Sequence, residues 1–180
     1  MAILQNSVPD LFIRKATCSD SSILMRLAKL TFTESHGHSA PKVDIAEYIK
    51  NNYTIEQIEK ELEEANNHYY LLFIGHKAIG FSKICMNIPH NSVDSINIAK
   101  LERLYVLNDY HGLSYGYQLF NFNLELCKKC RQDGIWLNVW VENLKALEFY
   151  KKIGFRKIGE YSFKISSTHS NPNHQLYLNF

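Results

Sequence analysis

Glycine and proline are scarce, eight and four in 180 residues, which excludes collagen-like and low-complexity chains. No long apolar run exists either: the longest, Tyr69 to Ile74, is too short to cross a bilayer. Excess charge is missing as well, since 20 Lys and Arg face 18 Asp and Glu for a net +2. A chain so near neutrality has no electrostatic case for duplex nucleic acid or an anionic membrane. The start, Met-Ala-Ile-Leu-Gln-Asn, carries no basic segment followed by an apolar one, so no secretory signal is read there. Four cysteines (Cys18, Cys85, Cys127, Cys130) without such a signal are expected to be reduced thiols in the cytoplasm.

What is present is an ordinary globular composition, 46% hydrophobic and 21% charged. At this length, one domain over residues 1–180 is expected, able to bury roughly 70% of its unfolded surface. Leu11 to Ala16 reads as an opening strand. Ser19 and Asp20 then offer caps to a helix bearing Ile23, Leu24, Leu27, Leu30 and Thr31 on one face. Ser35 to Pro41 breaks it. A short helix follows with Ile45, Tyr48 and Ile49 in register, and Thr54-Ile55-Glu56-Gln57 is a capping signal for another bearing Ile55, Ile58 and Leu62.

The period then changes. Tyr69–Ile74 and Ala78–Ile88 read as strands joined by Gly75-His76-Lys77, and Ala99–Val106 as another. A helix is expected over Leu113–Arg131, a strand through Ile135, Leu137 and Val139, and a helix over Asn143–Ile153 ended by Gly154. Strands near Arg156–Ile165 and Gln175–Phe180 complete the pattern. Such an order predicts an α/β fold of the α+β type, a mixed sheet with helices packed on it.

Two segments carry the chemistry. The first, Leu101-Glu102-Arg103-Leu104-Tyr105-Val106 continuing through His111-Gly112-Leu113-Ser114-Tyr115-Gly116, is a strand, a turn and the small-residue start of a helix. A helix start presents unpaired N–H groups at its positive end and suits a phosphate. Taken alone, Gly112 and Gly116 equally permit a tight turn and close packing. There is no Gly-Lys-Ser or Gly-Lys-Thr of a Walker loop. The second is Leu137-x-Val139-x-x-x-Asn143-x-x-Ala146-x-x-Phe149-Tyr150-x-x-x-Gly154-Phe155. Cys127 and Cys130, three apart on a helix, have no second pair and no histidine at finger spacing, and His36 with His38 is too little for zinc, so no metal is expected.

Together the two segments resemble the motifs of the GNAT superfamily of N-acetyltransferases, and the order of elements from Leu11 onward is similar to that fold. Two positions depart from the pattern: His111 stands where the family has Gln or Arg, and Ser114 where it has the central Gly. A serine there lacks glycine's freedom at positive φ, leaving its hydroxyl to bond a phosphate or cap the helix. From Thr31 to Leu62 the chain also resembles small bacterial polyamine acetyltransferases, through Thr-Phe-Thr, the Tyr48 helix and the Thr54–Leu62 helix.

The resemblance implies a mostly antiparallel sheet of six to seven strands, splayed into a V that holds acetyl-CoA. Main-chain groups of Leu104, Tyr105 and Val106 would pair with the pantetheine amides, and Asn143 would bond that arm. N–H groups of His111, Gly112, Leu113, Ser114, Tyr115 and Gly116 would hold the pyrophosphate, and Tyr150 would protonate the leaving thiolate. A primary amine has a pKa of roughly 10 and must lose a proton to attack. Glu102 is the candidate base, or equally a surface carboxylate paired with Arg103 or a lysine. Glu34, Asp44 and Glu47 would receive a cationic polyamine or diamine, or else are solvated helix charges. The acceptor is thus expected to be a small-molecule amine, attacked in a ternary complex by a monomer or homodimer. Other amines (a protein N-terminus, an amino acid, an aminoglycoside) or a catalytically weak CoA-binding regulator are the alternatives.

Overall fold

Thr54 shows how local chemistry sets this fold: its hydroxyl accepts the Gln57 N–H at 3.1 Å and starts a helix there. The computed structural model describes residues 10–180, so the reading of the first residues as free of a signal lies outside it. The elements run β1 (Leu11–Lys15), α1 (Ser21–His36), α2 (Lys42–Asn52), α3 (Ile55–Glu63), β2 (Asn67–Ile74), β3 (Lys77–Cys85) and β4 (Ile98–Val106). There follow α4 (Tyr115–Lys129), β5 (Gly134–Trp140), α5 (Leu144–Ile153), β6 (Arg156–Lys164) and β7 (Ser170–Asn179).

The strands form one mixed sheet in the order β1-β2-β3-β4-β5-β7-β6, antiparallel throughout except where β4 meets β5. Helices α1 to α3 cover one face, over Leu24, Leu27, Phe32, Leu71 and Phe81. Helices α4 and α5 cover the other, over Phe120, Leu137, Tyr150 and Phe155. The alternation of strand side chains feeds both layers, so most of β2 and β3 is buried on both sides.

Two irregularities build the site. The β3–β4 register passes from Lys83 opposite Arg103 to Ile84 opposite Leu101, which leaves Glu102 as the extra residue of a bulge. The parallel β4–β5 ladder holds only for Ile98 to Lys100 against Gly134 to Trp136. Beyond it the two strands part, which is the expected V.

Several details differ from the sequence reading, among them the end of β3 at Cys85 rather than Ile88. Asp20 stands at the N-cap of α1 but spends its carboxylate on Arg14 (2.7 and 2.8 Å) and on the Thr17 amide. Helix α4 starts at Tyr115 rather than Leu113, because Ser114 is left-handed. Strand β7 starts at Ser170, not Gln175. Ser-Asn-Pro-Asn reads as a turn, yet Pro172 lies just past the last β5–β7 pair (Trp140 with Asn173), where a missing N–H removes no rung of that ladder.

Candidate active site

The parting of β4 and β5 opens a cleft of about 1130 Å³. Its floor is Leu104, Tyr105 and Val106 of β4, its walls the start of α4 and the inner face of α5, and its far end the last turn of α1 with Trp140 of β5.

The turn into α4 is shaped for an anion. Gly112 and Ser114 both have positive φ, 79° and 63°, on either side of Leu113. Glycine adopts that conformation without strain, whereas Ser114 pays for it. Serine therefore takes the backbone geometry glycine would have, and its hydroxyl makes no capping hydrogen bond. The first amide bonded within the helix is that of Gln118, to the Ser114 carbonyl at 3.0 Å. The N–H groups of Tyr115, Gly116 and Tyr117 thus have no helical acceptor. Those of Gly112, Leu113 and Ser114 also lack a protein acceptor among the described residues. The His111 amide does not join them, because it donates to the Asn108 carbonyl at 3.0 Å. Its ring is engaged too: Nε2 donates to the Val106 carbonyl at 2.8 Å, tying the turn to the end of β4.

Gly116 has a different reason to be glycine. Its φ is not positive, so the backbone does not require it, and a Cβ built there meets nothing within 4 Å. A helical glycine beside empty space on a cleft wall marks a place for close approach of a ligand.

On α5, Asn143 caps the helix, its Oδ1 accepting the Ala146 N–H at 3.2 Å, and it also lines the cleft. One face of the helix then presents Ala146, Phe149, Tyr150 and Ile153. Tyr150 is 8% exposed and packs edge-on to Phe149 and Phe155. Burial, with Tyr105 nearby, pushes its phenol well above the ordinary value, so it stays protonated at neutral pH. Among the described residues only His174 Nδ1 is a sealed polar side-chain atom without a partner. The Tyr150 hydroxyl, which has no protein partner either, therefore opens onto the cleft.

The expected acidic residues separate. Glu34 lines the cleft and accepts the Asn108 N–H at 3.1 Å. Asp44 and Glu47 do not line it. Asp44 accepts from Ser166 at 2.9 Å, joining α2 to the loop before β7, and Glu47 is exposed on α2. Glu102 is not on the wall either; it pairs with Lys100 at 2.7 Å, with a third of its side chain reaching water. Leu113 points outward, 56% exposed.

Several wall residues escaped the sequence reading: Ser35, His38, Trp140, Glu142, Lys145 and Lys152. The lysines had a signal, since a spacing of seven puts both on one helix face. Ser35 and His38 had none, because only tertiary packing brings the end of α1 against β5. There His36 is stacked between Phe32 (4.8 Å) and Trp140 (5.6 Å), and burial, aided by His38, lowers its pKa to about 4. No group of three or more His, Cys, Asp or Glu that could hold a metal occurs among the described residues.

A cradle of helix-start amides, parted strands and a protonated tyrosine open to the cleft suit a thioester held by its diphosphate arm. The sequence model of the acetyltransferase (GNAT) family matches residues 24–155. The chain belongs to that family. As a GNAT acetyltransferase it is an acetyl-CoA-dependent N-acetyltransferase. An uncharacterized N-acetyltransferase of Lactobacillus delbrueckii subsp. lactis is 23% identical over 137 residues, 76% of this chain and 79% of the relative. Among solved structures, the PaiA N-acetyltransferase of Thermoplasma acidophilum, in complex with coenzyme A, shares the fold. Its TM-score is 0.76 at 20% identity, over 95% of this chain and 99% of that one. A chimera of the Vibrio cholerae spermidine N-acetyltransferase SpeG and hSSAT has a TM-score of 0.68 at 17% identity, over 94% and 95% of the two chains. No helix of the described residues is long and apolar enough to cross a membrane.

Proposed function

We propose that this N-acetyltransferase acetylates a small primary amine of the polyamine or diamine class, by direct attack within a ternary complex. In this reading it acts as one domain over residues 1–180, in the cytoplasm. The observation that carries the site assignment is the row of amides from Gly112 to Tyr117, without an acceptor among the described residues, at the mouth of the β4–β5 cleft. A diphosphate there meets the positive end of α4, and Gly116 leaves room for it. The main-chain edge of Leu104 to Val106 has no β5 neighbour, and its groups other than the Val106 carbonyl, which His111 holds, suit the pantetheine amides as an added strand would.

Tyr150, its phenol protonated at neutral pH, then supplies a proton to the departing thiolate. Glu102, outside the cleft lining, takes the proton of the amine through water: its carboxylate is solvent-accessible and stands two residues past the last β4–β5 pair. None of the four cysteines lines the cleft, so no thiol stands ready to carry the acetyl group, which supports direct attack. Glu34 and Glu142 on the wall, with the ring of Trp140, suit a cationic acceptor. The fold-level likeness to the spermidine N-acetyltransferase chimera points the same way.

The test is thiol release from acetyl-CoA with an amine panel, products identified by mass spectrometry. Putrescine and spermidine should turn over faster than amino acids, aminoglycosides or peptides with a free N-terminus. Faster acetylation of any of those would replace the polyamine reading.

A further inference from the structure

Buried between α3 and the sheet, away from the cleft wall, lies a charged cluster that the chemistry above leaves unused. Tyr69, Lys83 and Arg103 face one another across β2, β3 and β4 in a single row of the register. Above the row sits Glu61 of α3, 7% exposed. Its Oε2 accepts from Lys83 Nζ at 2.7 Å, from Arg103 at 3.1 Å and from the Tyr69 hydroxyl, while Gln57 donates to Oε1 at 3.1 Å. Arg103 also bonds the Tyr69 oxygen and lies over the Tyr53 ring at 5.4 Å. Burial alone would raise the Glu61 pKa, but Arg103, Lys83 and Tyr69 bring it down to about 2, so the carboxylate stays charged.

Stability is a poor reason for this arrangement. Two cations share one carboxylate, and buried ion pairs are frequently matched or bettered by apolar side chains of similar volume. Such groups can instead fix one register among several. The position of Arg103 gives that idea a target, for it is the first residue after the bulge at Glu102. A bulged strand that leaves its β5 neighbour at Lys100 has no ladder on that side to hold it. On its other side the bulge lets the pairing with β3 slip by one residue.

We propose that Glu61 is a positioning residue for acetyl transfer: by gripping Arg103 it locks the bulge of β4, and with it the strand edge at Leu104–Val106 on which acetyl-CoA is held. Glu61 touches no substrate and acts through the strand. The inference rests on the acetyl-CoA placement given under the proposed function.

Two variants and one measurement independent of activity decide it. In the apolar variant Glu61→Leu, Lys83→Met, Arg103→Met, Tyr69→Phe, every charged member of the cluster is replaced together with Tyr69, so no charge is stranded. It should unfold within a few degrees of wild type, yet lose at least tenfold in kcat/KM for acetyl-CoA. Hydrogen exchange at the amides of Leu104 to Val106 should be faster in it, while β2 exchange is unchanged. Wild-type kinetics and exchange in that folded variant would overturn the proposal. Should it fail to fold, Arg103→Lys serves: lysine keeps the charge but gives up the two-nitrogen fork with which Arg103 reaches both Glu61 oxygens. Its KM for acetyl-CoA should rise and its β4 exchange quicken, and unchanged values would equally overturn the idea. Calorimetry of wild type with acetyl-CoA separates the two readings. A wild type that does not bind it refutes the site assignment, whereas the exchange of β4 still judges the clamp.

Discussion

Gly116 offers a perturbation whose effects on stability and binding should run in opposite directions. It lies in the first turn of α4 with ordinary helical φ, and a Cβ there would meet no protein atom within 4 Å. Gly116→Ala therefore introduces no clash and gains helix propensity, up to about 1 kcal/mol in a helix interior and about half that in a first turn. The unfolded chain also loses freedom, a further contribution of about 0.4–1 kcal/mol that overlaps the first. A net gain of about 0.5–1 kcal/mol should raise Tm by about 1–4 °C in a chain of this size. If the empty space is where the diphosphate approaches the amides, the same methyl group must push it away. Lengthening those charge-assisted bonds should weaken acetyl-CoA at least tenfold, about 1.4 kcal/mol. Gly116→Val, with a branched side chain, should abolish binding while the protein stays folded. Differential scanning fluorimetry and calorimetry read the two effects on one sample. An alanine variant with raised Tm and wild-type affinity would show that the diphosphate does not sit against Gly116, and the cradle assignment would fall.

Ser114→Gly should relieve a left-handed serine, raising stability by about 1 kcal/mol and binding CoA as well as or better than wild type; clearly weaker binding would make the hydroxyl a phosphate ligand. Tyr150→Phe keeps the ring packing and removes only the proton donor, so kcat should fall about 10²-fold with KM for acetyl-CoA nearly unchanged. Wild-type kcat would leave Tyr150 a core aromatic. Glu102→Gln should lower kcat/KM for the amine at pH 7 and recover toward wild type near pH 10, where the amine deprotonates without help; a flat comparison would reduce Glu102 to the partner of Lys100. His36, lowered from 6.5 to about 4 by burial, refuses a proton that the unfolded chain accepts, so stability should fall as pH drops from 6.5 to 4. His36→Phe, which preserves the stack, should flatten Tm across that window, and an unaltered slope would locate the titration elsewhere.

The legible parts of this molecule are those written in local chemistry. Thr54 with Gln57 announces α3, and Gly154, left-handed at φ 106°, ends α5 where the sequence places it. The long α5 pattern survives intact because each of its apolar positions packs against the same sheet face. What was hidden depends on partners far away in the chain. Asp44 meets Ser166 from 122 positions away, so a carboxylate expected at the acceptor side instead joins α2 to the loop before β7. Ser35 and His38 reach the cleft only because α1 ends against Trp140. Glu61 is not among the residues the sequence marks on α3, and nothing in its own segment reveals the row of Tyr69, Lys83 and Arg103 beneath it.

One inserted residue links the fold to the chemistry. Without the extra Glu102, β4 would keep a single register with β3, and nothing in that ladder would turn the strand after Arg103. With it, the side chains beyond the bulge are re-aimed, Tyr105 toward the α1–α3 layer and Leu104 toward α4 and α5. At the same place β4 is without β5 as a neighbour, from Leu101 onward, which costs ladder hydrogen bonds in the empty protein. A ligand that supplies amide partners along that edge restores them, so the missing part of the sheet is itself a source of affinity. The bulge must then be held in place when no ligand is there, a task suited to a charged clamp under α3 whose residues do not line the cleft.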